Sequence, residues 1–149
     1  MVPKSVTRID KDGIKFIDSV DRCSYTMQEL CRGALRDVGK FVCKNFRQSF
    51  YHYFFKRTGR INRYTQYWVK HKREIVPTLE VGIKPNAFYG GFQELGTSKE
   101  PRMGLLTKAV EENIPTIVEI ESKYLSALED EAYALSLISE EDFEGNGDR

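Results

Sequence analysis

The chain has 149 residues, 40% of them hydrophobic and 30% charged, which is typical of one globular domain with a single core. No stretch approaches the roughly 18 uncharged apolar residues of a membrane-spanning helix, and the polar N-terminus lacks the apolar run of a secretory signal. We therefore expect no membrane partner and a protein that stays in the cytoplasm where it is made. The net charge of +1 hides an asymmetry, because residues 129–149 carry −7 and residues 1–128 carry +8.

The N-terminal half predicts a β-hairpin followed by a long helix. A hairpin is predicted in residues 1–20, because the Asp-Gly pair at 12–13 separates two short alternating runs. The helix is predicted to begin near Thr26, since Thr26 and Glu29 have the spacing of a capping box, and Gly59 is placed to end it. Its apolar stripe, with steps of three and four residues, consists of Leu30, Ala34, Val38, Phe41, Val42 and Phe46.

The middle of the chain contains one clear strand. Residues 60–76 are hard to assign and fit a short helix followed by a strand. Residues 78–84 predict a half-buried strand, because apolar and other residues alternate there between Pro77 and Pro85. The glycine- and aromatic-rich residues 86–101 predict a loop with a short extended piece.

A second long helix is predicted in the C-terminal part. Its apolar positions, with helical spacing, are Leu106, Ala109, Val110, Ile117, Ile120, Tyr124, Ala127 and Leu128. Pro115 either kinks this helix or starts another one after Asn113. Residues 137–149 are acidic and predict a disordered tail. The predicted fold is therefore α+β: a single domain over residues 1–136, with two long helices packed on a small antiparallel β-sheet and the N-terminal hairpin as an extension.

The sequence offers little for catalysis. The three cysteines form no C-x-x-C pair, which argues against both a disulfide framework and a zinc site. The two histidines, His52 and His71, have no acid nearby in the sequence, and no nucleophile elbow or phosphate loop is present. We predict that the protein is not an enzyme and that it has no catalytic residue, cofactor or metal ion.

A basic and aromatic segment leaves a nucleic-acid function open. Residues 40–73 interleave ten basic residues with ten aromatic ones and contain no acid. Cations can neutralise phosphates and aromatic rings can stack on bases. The favoured alternative is that the aromatic residues form the core and the cations line a solvated or subunit-facing surface. Both interpretations hold together if the chain assembles into a ring whose cations face DNA in its channel. The candidate channel-facing residues are Lys70, Lys72 and Arg73.

One segment carries a family resemblance. Residues 89–97 read Tyr-Gly-Gly-Phe-Gln-Glu-Leu-Gly-Thr, and they precede a proline-containing loop and a helix from near Leu105 with an early alanine, Ala109. Together with the Thr-Gly-Arg-Ile element at 58–61, this order resembles the tail-completion or head–tail joining family of long-tailed bacteriophages. The resemblance covers residues 26–128.

The resemblance implies a non-enzymatic virion protein of the neck or the head-proximal end of the tail. Such proteins act as connectors or tail terminators and assemble as a homo-oligomeric ring, which we expect to be a hexamer. The implied partners are other copies of the chain, the tail tube, head-closure and neck proteins, and DNA passing through the channel. The residues expected to shape a loop that builds the sheet or the subunit contacts are Tyr89, Glu94, Gly96 and Thr97.

Overall fold

The computed structural model describes residues 7–11, 14–18, 20–54, 59–70, 76–130, 133–134 and 136–138. The β-strands are β1 (Thr7–Lys11), β2 (Ile14–Asp18), β3 (Thr65–Lys70) and β4 (Thr78–Ile83). The α-helices are α1 (Val20–Tyr53), α2 (Arg60–Tyr64), α3 (Tyr89–Leu95), α4 (Leu105–Glu111) and α5 (Ile114–Ser126). Short 3₁₀ turns lie at Pro85–Ala87 and Ala127–Glu129. The fold is mostly helical with small antiparallel sheets, so the α+β prediction is confirmed.

Helix α1 organises the molecule, but it does not begin where the sequence predicted. It starts at Val20, and the Thr26 hydroxyl donates to the carbonyl oxygen of Arg22 one turn earlier at 3.0 Å. Glu29 pairs with Arg32 instead of reaching back to a helix N-terminus. The predicted capping box is therefore wrong, because both of its side chains have partners within the helix. Of the predicted stripe, all but the half-buried Phe41 is buried, namely Leu30, Ala34, Val38, Val42 and Phe46.

Strands β3 and β4 pair in antiparallel fashion and pack on α1. The prediction of a strand at 78–84 is confirmed, and residues 60–64 form a short helix that runs directly into β3. Gly39 permits the close approach of helix and sheet, since a Cβ atom there would lie 2.6 Å from the Tyr67 ring. Gly59 has a φ of 67° and precedes α2, so it lies at the start of a helix and not at the C-terminal stop of α1.

The C-terminal region forms two helices where the sequence suggested one that Pro115 would kink or divide. Helix α4 ends at Glu111, and α5 starts after Asn113 with Pro115 in its first turn, where proline is tolerated. The Asn113 side chain donates to the Ala109 carbonyl oxygen at 3.0 Å and so closes the end of α4. Of the two alternatives at Pro115, a new helix is therefore the correct one.

Two apolar clusters lie at opposite ends of α1. The first contains Leu30, Ala34, Tyr124, Ala127, Ala134 and Leu137. The second contains Phe46, Ile61, Ala87, Leu105 and Ala109, with Phe50, Ile83 and Tyr89 packed against it. The Tyr124 hydroxyl donates to the Asp37 carboxylate at 2.6 Å and fastens α5 to α1. Leu137 is buried in this cluster and Ile138 packs beside it, one and two residues after the predicted domain boundary at residue 136.

The two ends of the chain are described only in part. β1 and β2 pair in antiparallel register from Thr7 opposite Asp18 to Lys11 opposite Ile14. The predicted turn at residues 12–13 and the acidic residues 139–149 lie outside the described residues. Among the helices that are described, none has the length and apolar composition needed to cross a bilayer.

Candidate functional site

The segment that carries the resemblance forms helix α3, so the prediction of a loop at residues 86–101 is wrong for residues 89–95. Its glycines suggested a turn, but Gly90 is buried in the helix against β4. A Cβ atom at Gly90 would lie 2.8 Å from the Ile83 side chain and 3.4 Å from that of Ile61. The glycine therefore allows close packing between α3 and the second cluster, and this role does not depend on its backbone conformation.

The Glu94 carboxylate caps helix α4. It accepts hydrogen bonds from the backbone N–H groups of Leu106 and Thr107, both at 2.9 Å, and from the Thr107 hydroxyl, also at 2.9 Å. The first N–H groups of a helix have no partner within the helix, and an anion there also interacts favourably with the helix dipole. Glu94 thus ties the end of α3 to the start of α4 across twelve residues.

Gly96 and Thr97 fold the connecting loop back on itself. Gly96 has a φ of 81°, and a Cβ atom there would lie 2.8 Å from the backbone nitrogen of Arg102. The Thr97 hydroxyl accepts from the backbone N–H of Glu100 at 3.1 Å, and the Thr97 N–H donates to the Glu100 carbonyl oxygen at 2.9 Å. Both residues therefore set the path from α3 to α4.

The structure brings all four of the predicted interface residues into one helix–loop–helix unit. Tyr89 packs against the second cluster, while Glu94, Gly96 and Thr97 form the internal contacts given above. Each residue has a structural role that the sequence did not reveal. Their role in contacts with another subunit stays a prediction.

Sequence reasoning missed the side chains that α3 presents outward. Phe88, immediately before the helix, is 69% exposed, Phe92 is 55% exposed and Leu95 is 75% exposed. Steps of four and three residues place them on one face, which we call the α3 stripe. Phe88 and Phe92 meet edge to face with ring centroids 6.0 Å apart. The stripe could have been recognised from its spacing once residues 88–95 were assigned to a helix.

A second apolar surface lies between the N-terminal half of α1 and the C-terminal half of α5. We call it the α1–α5 groove. Its volume is about 250 Å³, and it is open to solvent. The residues that form its apolar walls include Met27, Leu30, Cys31, Leu35, Leu125 and Leu128. Met27 and Leu125 are well exposed, so these two side chains form part of the surface of the groove and are not core residues.

The basic and aromatic segment is divided between core and surface. The interpretation of its aromatic residues as core is confirmed for those in the second cluster, namely Phe46, Phe50, Phe54 and Tyr64. Tyr51, Tyr53 and Trp68 are exposed. Lys70 is ion-paired with Glu80 across the β3–β4 pair, so part of its charge is neutralised. The other two predicted channel residues, Lys72 and Arg73, lie outside the described residues.

The titratable side chains are dispersed. Within the described part of the chain, no three His, Cys, Asp or Glu residues lie close enough to hold a metal ion. His52 lies exposed near the end of α1, with its ring against Tyr53, and His71 lies outside the described residues. Burial raises the pKa of the Cys43 thiol, although the nearby Arg47 charge lowers it in part. Cys43 is therefore a neutral core thiol at neutral pH rather than a reactive thiolate.

Comparison with known proteins adds no family assignment. No family model, curated protein or solved structure matches the chain. Function is therefore inferred from the geometry of the α3 stripe, the α1–α5 groove and the helix–loop–helix unit.

Proposed function

We propose that this chain is a structural virion protein of a bacteriophage neck or head-proximal tail end, and that it assembles into a homo-oligomeric ring. The observation that carries the proposal is the α3 stripe. It exposes three large apolar side chains on the same segment whose sequence resembles the head–tail joining family. Contiguous apolar surface of this kind marks an interaction site more often than a solvated face.

The helix–loop–helix unit supports an architectural role for this segment. The Glu94 carboxylate accepts three hydrogen bonds from its own chain, so three of its about four acceptor positions are occupied by the fold. A catalytic carboxylate needs an approach for a substrate and a neighbouring acid, base or nucleophile. The motif residues therefore serve to hold α3 against the body, and the function follows from what α3 presents.

A ring requires two different complementary surfaces on each subunit, because its contacts run head to tail. The chain offers an outward-pointing apolar stripe and a separate apolar groove. The proposed partners are other copies of the chain in a hexamer, the tail tube, and head-closure or neck proteins. The proposed location is the neck or top of the tail of the virion, after assembly in the host cytoplasm.

Native mass spectrometry and negative-stain imaging of the purified chain test the proposal. We expect closed rings of about six subunits that form without DNA. The alternative function, nucleic-acid binding by residues 40–73, predicts a monomer or dimer whose DNA affinity falls steeply as salt rises. That outcome would contradict the ring. Gene order is a second test, since portal, capsid and tail-tube genes are expected beside this one.

A role of the acidic C-terminal segment in assembly can be tested by deletion, but not by a deletion that begins at residue 129. Such a deletion would remove Ala134 and Leu137, which are buried in the first cluster. Deletion of residues 139–149 removes five of the eight acids and leaves that cluster intact. If the tail contributes to assembly through charge, the shortened chain should form weaker rings at low salt only. Equal ring formation by both chains at every salt concentration would exclude this contribution.

A further inference from the structure

The α3 stripe and the α1–α5 groove lie at opposite ends of the same helix. The stripe belongs to a helix that packs near Phe46 and Phe50, whereas the groove is lined by α1 residues from Met27 to Leu35. Leu30 and Phe46 are sixteen positions apart, or roughly 24 Å along the helix axis at 1.5 Å per residue. A stripe anchored by Glu94 at one end of α1 cannot fill the groove at the other end of the same molecule.

The two surfaces have compatible chemistry. Among the described residues that line it, the groove is almost wholly apolar, with Glu121 as the one charged side chain. At about 250 Å³ it is smaller than most pockets for organic ligands, which also need several convergent polar groups. Aromatic and aliphatic side chains from another protein surface suit it better.

Charge around the two surfaces is complementary. Near the stripe, residues 84–102 carry three exposed cations, Lys84, Lys99 and Arg102, against one exposed acid, Glu100. Along the groove, residues 121–130 of α5 and the turn after it carry three acids and one lysine. On the α1 wall, Glu29 is already paired with Arg32. A basic rim around the stripe would therefore meet an acidic rim around the groove, which favours this pairing of surfaces over stripe with stripe.

We propose that the α3 stripe of one copy of the chain inserts into the α1–α5 groove of the next copy, and that this head-to-tail contact closes the ring. The inference rests on the proposed function for the ring and adds the residues that form its interface. Phe88, Phe92 and Leu95 are the inserted side chains, and Met27, Leu125 and Leu128 receive them. Because the donor and acceptor surfaces differ, the contact can propagate from copy to copy.

Cross-linking tests the contact directly, because Cys31 already lies in the groove wall. The probe is Leu95→Cys in a Cys23→Ser background, treated with a short bismaleimide. We expect covalent dimers and higher species that disappear when Cys31→Ala is added. The matched control is Tyr53→Cys, an exposed position near the far end of α1, which should give no such products.

Paired variants test the direction of the contact. The stripe variant is Phe88→Ser with Phe92→Ser, and the groove variant is Met27→Gln with Leu125→Gln. All four positions are well exposed, so both variants should keep the wild-type circular dichroism spectrum. Each alone should associate at least about 30-fold more weakly than wild type. The matched control is Tyr53→Ser, because Tyr53 is 52% exposed and Phe92 is 55% exposed, and it should associate normally.

An equimolar mixture of the two variants gives the sharpest result. The intact groove of the stripe variant can receive the intact stripe of the groove variant, so we expect one-to-one dimers and no rings. Rings formed by wild type and by both variants, without cross-links, would overturn this interface and leave the ring standing. Cross-linked chains that never close into rings would contradict the ring and support the contact. If the wild-type chain forms neither rings nor cross-linked species, both the ring and this interface would be overturned.

Discussion

Removal of the Glu94 carboxylate should destabilise the fold by a measurable amount. Glu94 accepts two backbone N–H bonds and one hydroxyl bond, each at 2.9 Å, in a half-buried position. Loss of a helix cap costs about 0.5–2 kcal/mol, and hydrogen bonds to charged groups contribute about 1.5–3 kcal/mol. We expect Glu94→Ala to lower the free energy of unfolding by about 2 kcal/mol. At 2–4 °C per kcal/mol, the Tm should fall by about 4–8 °C.

Two companion variants separate the cap from other effects of the substitution. Glu94→Gln keeps one acceptor oxygen but turns its NH₂ group toward a backbone N–H, so we expect about half the loss. Glu119→Ala removes an exposed carboxylate from α5 and should change stability by less than about 0.5 kcal/mol. Urea unfolding followed by far-ultraviolet circular dichroism at one fixed protein concentration measures all three. If Glu94→Ala and Glu119→Ala unfold at the same urea concentration, the Glu94 cap does not stabilise the fold.

Three further substitution and labelling experiments test the packing. Gly96→Ala places a side chain at a φ of 81° and 2.8 Å from a backbone nitrogen, and should cost about 1–3 kcal/mol. Its matched control, Gly91→Ala, has open space in a helix and should be neutral or stabilising by up to about 1 kcal/mol in the same urea assay. Gly39→Ala should destabilise by about 1 kcal/mol, because overpacking against Tyr67 exceeds the gain in helix propensity; a more stable variant would contradict this contact. Burial raises the pKa of Cys43, so iodoacetamide should label it at pH 8 only after unfolding, as mass spectrometry would show.

Elements with a local period were predicted well. The stripe of α1 repeats with helical spacing and β4 alternates between two prolines, so the type of element is visible within each segment, although residues 79–83 of β4 are all half-buried. The start of α1 was not predicted, although Val20, Cys23 and Met27 precede Leu30 at helical steps of three and four residues. A local capping signal at Thr26 then appeared stronger than it is. In the structure its hydroxyl bonds to a carbonyl oxygen one turn earlier in the same helix.

The candidate site depended on contacts between distant residues, which the sequence alone does not reveal. Gly90 suggested a loop, but its packing partners Ile61 and Ile83 lie in other elements. The acceptor role of Glu94 depends on N–H groups twelve and thirteen residues later, whereas the familiar capping box spans three. Because residues 86–101 were predicted as a loop, the spacing of Phe88, Phe92 and Leu95 could not be recognised as one face of a helix. The four motif residues do lie in one unit of the fold, but the sequence did not distinguish the inner face of that unit from its outer face.

Those two faces lead to a last prediction, that Glu94 contributes to assembly without touching the neighbouring copy. The inner face of α3 holds Gly90 and the Glu94 cap, and the outer face holds the stripe. A rigidly held stripe loses less conformational freedom on binding than a mobile one, at about 0.5–1.5 kcal/mol for each ordered side chain. Loosening α3 by Glu94→Ala should therefore weaken association by about 1 kcal/mol, or roughly fivefold.

A double-mutant cycle distinguishes this coupling from a general loss of stability. Association is measured by sedimentation at a temperature where every variant remains folded. Glu94→Ala should weaken association of the wild-type chain but cause little further loss in the Phe88→Ser, Phe92→Ser background, because both aromatic side chains of the stripe are then absent and only Leu95 remains to be positioned. Glu119→Ala serves as the control in both backgrounds. If Glu94→Ala weakens both backgrounds equally, the carboxylate acts on assembly by a route other than the stripe, since only a role through the stripe makes the two effects non-additive.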